Sequence, residues 1–100
     1  MNKYVLLLAL TPLVSFASED CNGKVSYIMD HPSWCESHLA FKMDIIPEKW
    51  ICSLSERSDS MILTALASDK VISARLALQI PGKCQAIGHY QKPEYISLLK

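Results

Sequence analysis

The sequence predicts a mainly β domain of five short strands, with one short α-helix between the third and the fourth. Three observations carry this expectation. Apolar and polar residues alternate with a period of two through several segments, one window has the three-to-four spacing of a helix, and turn-forming residues separate the segments.

The elements follow in chain order. From Gly23 to Met29, Val25, Tyr27 and Met29 alternate with Lys24, Ser26 and Ile28, which predicts a first strand that buries the former set. Asp30 to Ser37, with Pro32 and several polar residues, reads as a loop. His38 to Ile45 alternates again and places Leu39, Phe41, Met43 and Ile45 on one face. Ile46-Pro47-Glu48-Lys49 is the expected reversal, because proline fixes its own φ and donates nothing to a ladder. Trp50 to Leu54 is then a third strand, with Trp50, Cys52 and Leu54 sharing a face and Trp50 packing in the core.

Between Ser60 and Ser68 the apolar residues Met61, Ile62, Ala65 and Leu66 fall at helical spacing, and Ser58 or Ser60 is placed to accept from the first-turn N–H groups. Val71 to Ile80 resumes the alternation, with Ile72, Ala74, Leu76, Leu78 and Ile80 together. Pro81-Gly82 marks a turn, Cys84 to Tyr90 is the expected fifth strand, and Tyr95 to Leu99 a short final strand or tail.

Ahead of this domain the chain reads as an export signal. Lys3 is followed by an apolar run from Tyr4 to Phe16, and Ser15 and Ala17 supply the small residues a signal peptidase requires. Cleavage is expected after Ala17, giving a signal peptide over residues 1–17 and one domain over residues 18–100. Thr11 and Pro12 interrupt the run, which is shorter than the roughly 20 residues that span a bilayer. A periplasmic or secreted protein is expected, with no membrane insertion once the signal is removed. Loss of Lys3 leaves nine basic against ten acidic residues, a balance that calls for neither nucleic acid nor an acidic membrane.

Cys21, Cys35, Cys52 and Cys84 all follow the signal, and an even count in an oxidising compartment predicts two disulfides. Three pairings satisfy that count. The preferred one joins Cys21 to Cys35 and Cys52 to Cys84, one staple near the N-terminal strands and one reaching into the last third.

The densest group of reactive side chains is His31-Pro32-Ser33-Trp34-Cys35-Glu36-Ser37-His38. Two imidazoles and a thiol have the chemistry of a zinc or copper site, but a Cys35 consumed in a disulfide is no ligand, so no metal and no cofactor are expected. Sequence neighbours on an extended chain point apart, so Cys35 or Ser37 with His38 does not make a nucleophile and base. No glycine-rich phosphate loop, Cys-x-x-Cys pair or Gly-x-Ser-x-Gly elbow occurs, and no catalytic residue is assigned. Trp34, flanked by His31 and His38, is the expected ligand-contacting residue, since an exposed tryptophan stacks on a sugar ring or anchors a protein surface. Tyr90 and Tyr95 either form a second binding edge or pack the last strand.

Strand, strand, strand, helix, strand, strand is the order of an OB-fold barrel. Cys21-Asn22-Gly23-Lys24-Val25, the Trp50-Ile51-Cys52 strand, and the helix running from Met61 into Ala67-Ser68-Asp69-Lys70-Val71, followed by a strand and Cys84, resemble small exported bacterial proteins similar in fold to the B subunits of AB-type toxins. The resemblance covers nearly all of residues 18–100. It implies a non-enzymatic binding module that engages a glycan or a cell surface, and it implies homo-oligomers. No glycan-contacting residue carries over from it. The alternative is a periplasmic structural or inhibitory protein whose partner is another protein.

Overall fold

The computed structural model describes residues 17–100. Five strands and one helix form: β1 (Ala17–Met29), β2 (Ala40–Met43), β3 (Ile46–Cys52), α1 (Glu56–Ser68), β4 (Val71–Leu78) and β5 (Ile96–Leu98). All pair antiparallel in a sheet of order β3-β2-β1-β4-β5. The mainly β class, with the helix between the third and fourth strands, is as the alternation predicts. Residues 1–16 of the expected signal peptide lie outside the described residues, and Ala17 opens β1 by pairing with Leu78.

β1 is the long axis of the domain. Its first half pairs with β4, from Ala17↔Leu78 to Lys24↔Val71, and its second half pairs with β2, from Val25↔Met43 to Met29↔Ala40. Where the partner changes, the register shifts between Val25 and Tyr27. Such an irregularity reverses which residues face inward. Cys21, Gly23 and Val25 are buried ahead of it, whereas after it Ile28 packs against the core and Tyr27 is 64% exposed. The expectation that Tyr27 follows Val25 into the core is therefore corrected.

β4 keeps the predicted pattern, with Ile72, Ala74, Leu76 and Leu78 all buried, and ends before Ile80, which is exposed ahead of the Pro81-Gly82 turn. β2 buries Phe41 and Met43 as predicted. The reversal lies at Asp44-Ile45, one step earlier than the proline implies: Asp44 N–H donates to Lys24 O at 2.8 Å, and its carboxylate accepts from Lys24 N–H at 3.0 Å. Pro47 belongs to β3 itself. Between Met43↔Ile46 and Phe41↔Ile51, β2 advances two residues and β3 five, so Pro47-Glu48-Lys49 bulge from an edge strand where a missing donor costs no ladder bond. Proline, charge and a bulge together blunt that edge. Trp50 is half-buried and packs against the cluster that contains Cys52, while Ile51 and Cys52 are buried.

Cys84 to Tyr90 forms no strand, which corrects the fifth-strand expectation. Pro81, the left-handed Gly82 (φ 78°) and the Cys84 staple fold this stretch into turns. It then docks on β3: Tyr90 N–H donates to Trp50 O at 2.7 Å, Cys52 N–H donates to Gln91 O at 2.8 Å, and Ile51 and Gln91 make a parallel bridge. The Gln91 amide reaches β4, accepting from Ala77 N–H at 2.7 Å and donating to Ala77 O at 3.2 Å. One residue thereby links β3 and β4, which are not neighbours in the sheet. β5 forms instead at Ile96–Leu98, within the stretch read as a final strand or tail.

Both disulfides exist, but they join Cys21 to Cys84 and Cys35 to Cys52, which corrects the preferred pairing of Cys21 with Cys35 and Cys52 with Cys84. The reason is the length of β1. Eight residues of extended strand run from Cys21 to Met29, about 26 Å, whereas a disulfide bridges Cα atoms no more than about 7 Å apart. Cys21 therefore meets Cys84, which returns to the β4 end, with Cα atoms 5.9 Å apart, while Cys35 meets Cys52 at the other end at 5.3 Å. The two bonds also belong to different clusters. Cys21 and Cys84 join the main core around Phe41, Met43, Ile62 and Leu76. Cys35 and Cys52 form a second one with Ala40, covered by Met29, Trp50 and Tyr90.

α1 begins at Glu56, a turn earlier than the apolar spacing implies. Ser55 is the cap, its Oγ accepting from Ser58 N–H at 3.1 Å, and Glu56 and Asp59 place negative charge in the first turn. Asp69, left-handed at φ 55°, ends it. Ile62 and Ala65 face the core, while Leu66, counted with them by spacing, is exposed together with Leu63. Ser55→Ala is expected to lower stability by about 1 kcal/mol, read as a lower denaturant midpoint with an unchanged slope; an unchanged midpoint contradicts the capping role.

Candidate functional site

The loop between β1 and β2 is held from three sides. Cys35 is tied to Cys52 beneath it. Glu36 is ion-paired to Lys92 at 2.6 Å, and that bond and charge hold the Glu36 carboxyl below its ordinary value. At its far end His38 Nδ1 lies 3.2 Å from the Asp59 carboxylate, whose other oxygen accepts from Leu39 N–H at 3.1 Å. These ties support an unusual backbone. Among the described residues four non-glycines have positive φ: Asp69 caps α1, and the other three, Glu36 (53°), Ser37 (71°) and Tyr90 (56°), lie in this loop and in the segment docked against it. Each costs on the order of 1 kcal/mol or more.

What the constrained backbone presents is a row of rings. Trp34, 54% exposed, stacks on Tyr90 with centroids 5.0 Å apart and planes 17° from parallel. His31 lies 5.2 Å from Trp34 on the loop side, and His89 lies 5.7 Å from Tyr90 on the other. A second row adjoins it through Trp50, whose backbone N–H donates to His89 Nδ1 at 3.4 Å. The Lys42 ammonium stands 4.7 Å from the Trp50 ring centroid and 5.8 Å from that of Tyr27.

Among the described residues no protein group meets the polar edges of the stacked rings. Trp34 Nε1 and Tyr90 Oη have no protein partner among the described residues, where every buried side-chain nitrogen and oxygen of a non-exposed residue is paired; the Tyr90 hydroxyl of this half-buried ring therefore meets solvent. A flat apolar surface bordered by solvent-facing donors suits a ligand with one apolar face and hydroxyls at its rim.

The expected site residues separate. Trp34 and His31 come together. His38 turns away to Asp59 and takes no part in the ring row. Cys35, bonded to Cys52, offers His38 no free thiol. No group of three metal-ligating side chains occurs among the described residues. Tyr90 and His89 were not assigned to the Trp34 surface by spacing, since the contact spans more than fifty residues and depends on the docking of Gln91 to β3. Tyr95 lies elsewhere: its hydroxyl donates to Asp20 at 3.0 Å, which raises the Tyr95 pKa.

Neither of two concavities among the described residues is lined by the rings of the row. A cavity of about 230 Å³ is lined by Ile46, Pro47, Glu48, Lys49 and Gln85 at the bulge of β3. A wide cleft by the α1 N-terminus is lined by His38, Leu54, Ser55, Glu56 and Arg57. No protein-family model matches the chain, and no curated protein does. Among the described residues no helix is long and apolar enough to cross a membrane.

Burial pushes the Asp59 carboxyl up, but hydrogen bonds from Ser53, Leu39 N–H and His38, with the His38 charge, outweigh it and hold the pKa below the ordinary aspartate value. The stabilisation is present above that ordinary value and is lost as pH falls through the lower, folded one. Asp59→Asn is expected to flatten the loss of stability as pH falls below about 4, followed by urea midpoints; a variant whose midpoint falls as steeply as the wild type's contradicts the assignment.

Proposed function

We propose that this chain is an exported, non-enzymatic binding module that holds an uncharged sugar ring of a glycan on the Trp34–Tyr90 surface. The observation that carries the reading is the stacked pair itself, half exposed, with free polar edges, on a backbone held in left-handed conformations at Glu36, Ser37 and Tyr90. Strain of that kind is kept where a surface has to be preset for a ligand. Glu36, two residues after Trp34, is occupied by Lys92, which favours a neutral ligand over a cation.

The same reading includes an OB-type barrel. The Ile51–Gln91 bridge and the Gln91–Ala77 amide pair, linking strands that are not sheet neighbours, support closure. It includes removal of residues 1–17 and work in the periplasm or outside the cell, supported by two disulfides and no free cysteine among the described residues. It also includes the likeness to AB-toxin B subunits and their homo-oligomers.

A second reading, a module that binds another protein, is favoured by Leu63 and Leu66, exposed at 51% and 44% on the outer face of α1. A glycan array at neutral pH separates the two. The first reading expects glycan capture that Trp34→Ala weakens about tenfold or more, the worth of one lost stacking contact, with an unchanged unfolding midpoint. Absence of any glycan capture, or capture indifferent to Trp34→Ala, overturns it.

A further inference from the structure

Both imidazoles at the ends of the ring row are held through the same nitrogen. Ser33 N–H donates to His31 Nδ1 at 3.1 Å, and Trp50 N–H donates to His89 Nδ1 at 3.4 Å. A ring nitrogen that accepts a hydrogen bond carries no hydrogen, so each neutral ring keeps its hydrogen on Nε2. Neither Nε2 has a protein partner among the described residues, and that of the half-buried His31 reaches solvent because no buried side-chain nitrogen there is unpaired. The row thus ends in an Nε2–H donor on each side.

The His89 bond is half of a clasp. The next N–H in the chain, that of Tyr90, donates to Trp50 O at 2.7 Å, so residues 89 and 90 are docked on Trp50 by two bonds of opposite direction. This docking carries Tyr90, at φ 56°, to Trp34. The His31 bond plays the same part on the loop side, fixing the ring 5.2 Å from Trp34. Protonation at Nδ1 places a hydrogen where a backbone N–H already points, and both contacts have to open. The charged groups on the surrounding segments are Asp30, Glu36 and His38 on the loop, Lys42 on β2, Glu48 and Lys49 on β3, and Lys92 and Glu94 on the final segment. Of these, Glu36 is taken by Lys92, His38 by Asp59, and Lys42 stands over Trp50.

We propose that the Trp34–Tyr90 surface is an acid-released site. With both imidazoles neutral the rings are stacked and two Nε2–H donors face the ligand; acidification opens the His31 and His89 contacts, unstacks Tyr90 from Trp34 and frees the ligand. This rests on the binding reading of the same surface, and it gives the domain a means to bind at neutral pH and let go in an acidified compartment.

The test needs no ligand and is therefore separate from the glycan array. Nuclear Overhauser contacts between the Trp34 and Tyr90 rings are followed from about pH 8 to about pH 5, the range that brackets imidazole titration, in the wild type and in a His31→Asn, His89→Asn double variant. Asparagine offers an acceptor near the Nδ1 position and does not titrate. The expected result is loss of the contact in the wild type on acidification, with far-ultraviolet circular dichroism unchanged, and persistence of the contact in the double variant. A wild-type contact indifferent to pH overturns the proposal whether or not the variant folds, and so does equal loss in both proteins.

Discussion

The Cys35–Cys52 disulfide is the constraint on which this end of the molecule depends. It sits under the β1–β2 loop, inside a cluster of its own with Ala40, and Met29, Trp50 and Tyr90 close over it. Trp34 precedes one of its cysteines, and Gln91, which follows Tyr90, bonds to the backbone of the other. A cluster with three buried members has little apolar surface to offer, so a covalent bond stands in for packing. Closing 17 residues confines the unfolded chain by about 3 kcal/mol, against about 4 kcal/mol for the 63 residues closed by Cys21–Cys84. The two bonds are thus similar in thermodynamic weight and different in task, one fastening β1 to the far end of the main core, the other shaping a surface.

That division explains the distribution of backbone strain. Glu36 and Ser37 follow Cys35 directly, and their left-handed conformations turn the chain so that Glu36 meets Lys92 and His38 meets Asp59. Tyr90 is left-handed where the final segment is fixed to Trp50. Fixed points on either side of each unfavourable residue allow it to persist. On the proposed binding reading, such a backbone presets the surface, and ordering costs that would otherwise weaken binding are met during folding.

Much of the fold was legible in the chain because β4 and the core of β2 obey a plain period of two, with Ile72, Ala74, Leu76, Leu78, Phe41 and Met43 all inward. The misreadings fall where a register irregularity breaks that period. The shift after Val25 sends Tyr27 outward, and the excess residues in β3 turn Pro47 from a reversal into part of an edge strand. The disulfide pairing was not legible, since it follows from the length of β1, which begins six residues before the alternation becomes visible. Of the candidate site, the neighbourhood of Trp34 and His31 was legible from local composition. Tyr90 and His89 were not, because only the docking of Gln91 on Ile51 and Ala77 brings them there.

The separation of tasks between the two disulfides is tested most directly by removing each in turn and reading the fold and the surface independently. In the Cys35→Ala, Cys52→Ala variant the account predicts a cooperative, folded sheet by far-ultraviolet circular dichroism but no Trp34–Tyr90 ring contact by nuclear magnetic resonance. In the Cys21→Ala, Cys84→Ala variant it predicts a weakened core, with the ring contact persisting for as long as the protein stays folded. A ring contact that survives loss of Cys35–Cys52 would contradict it.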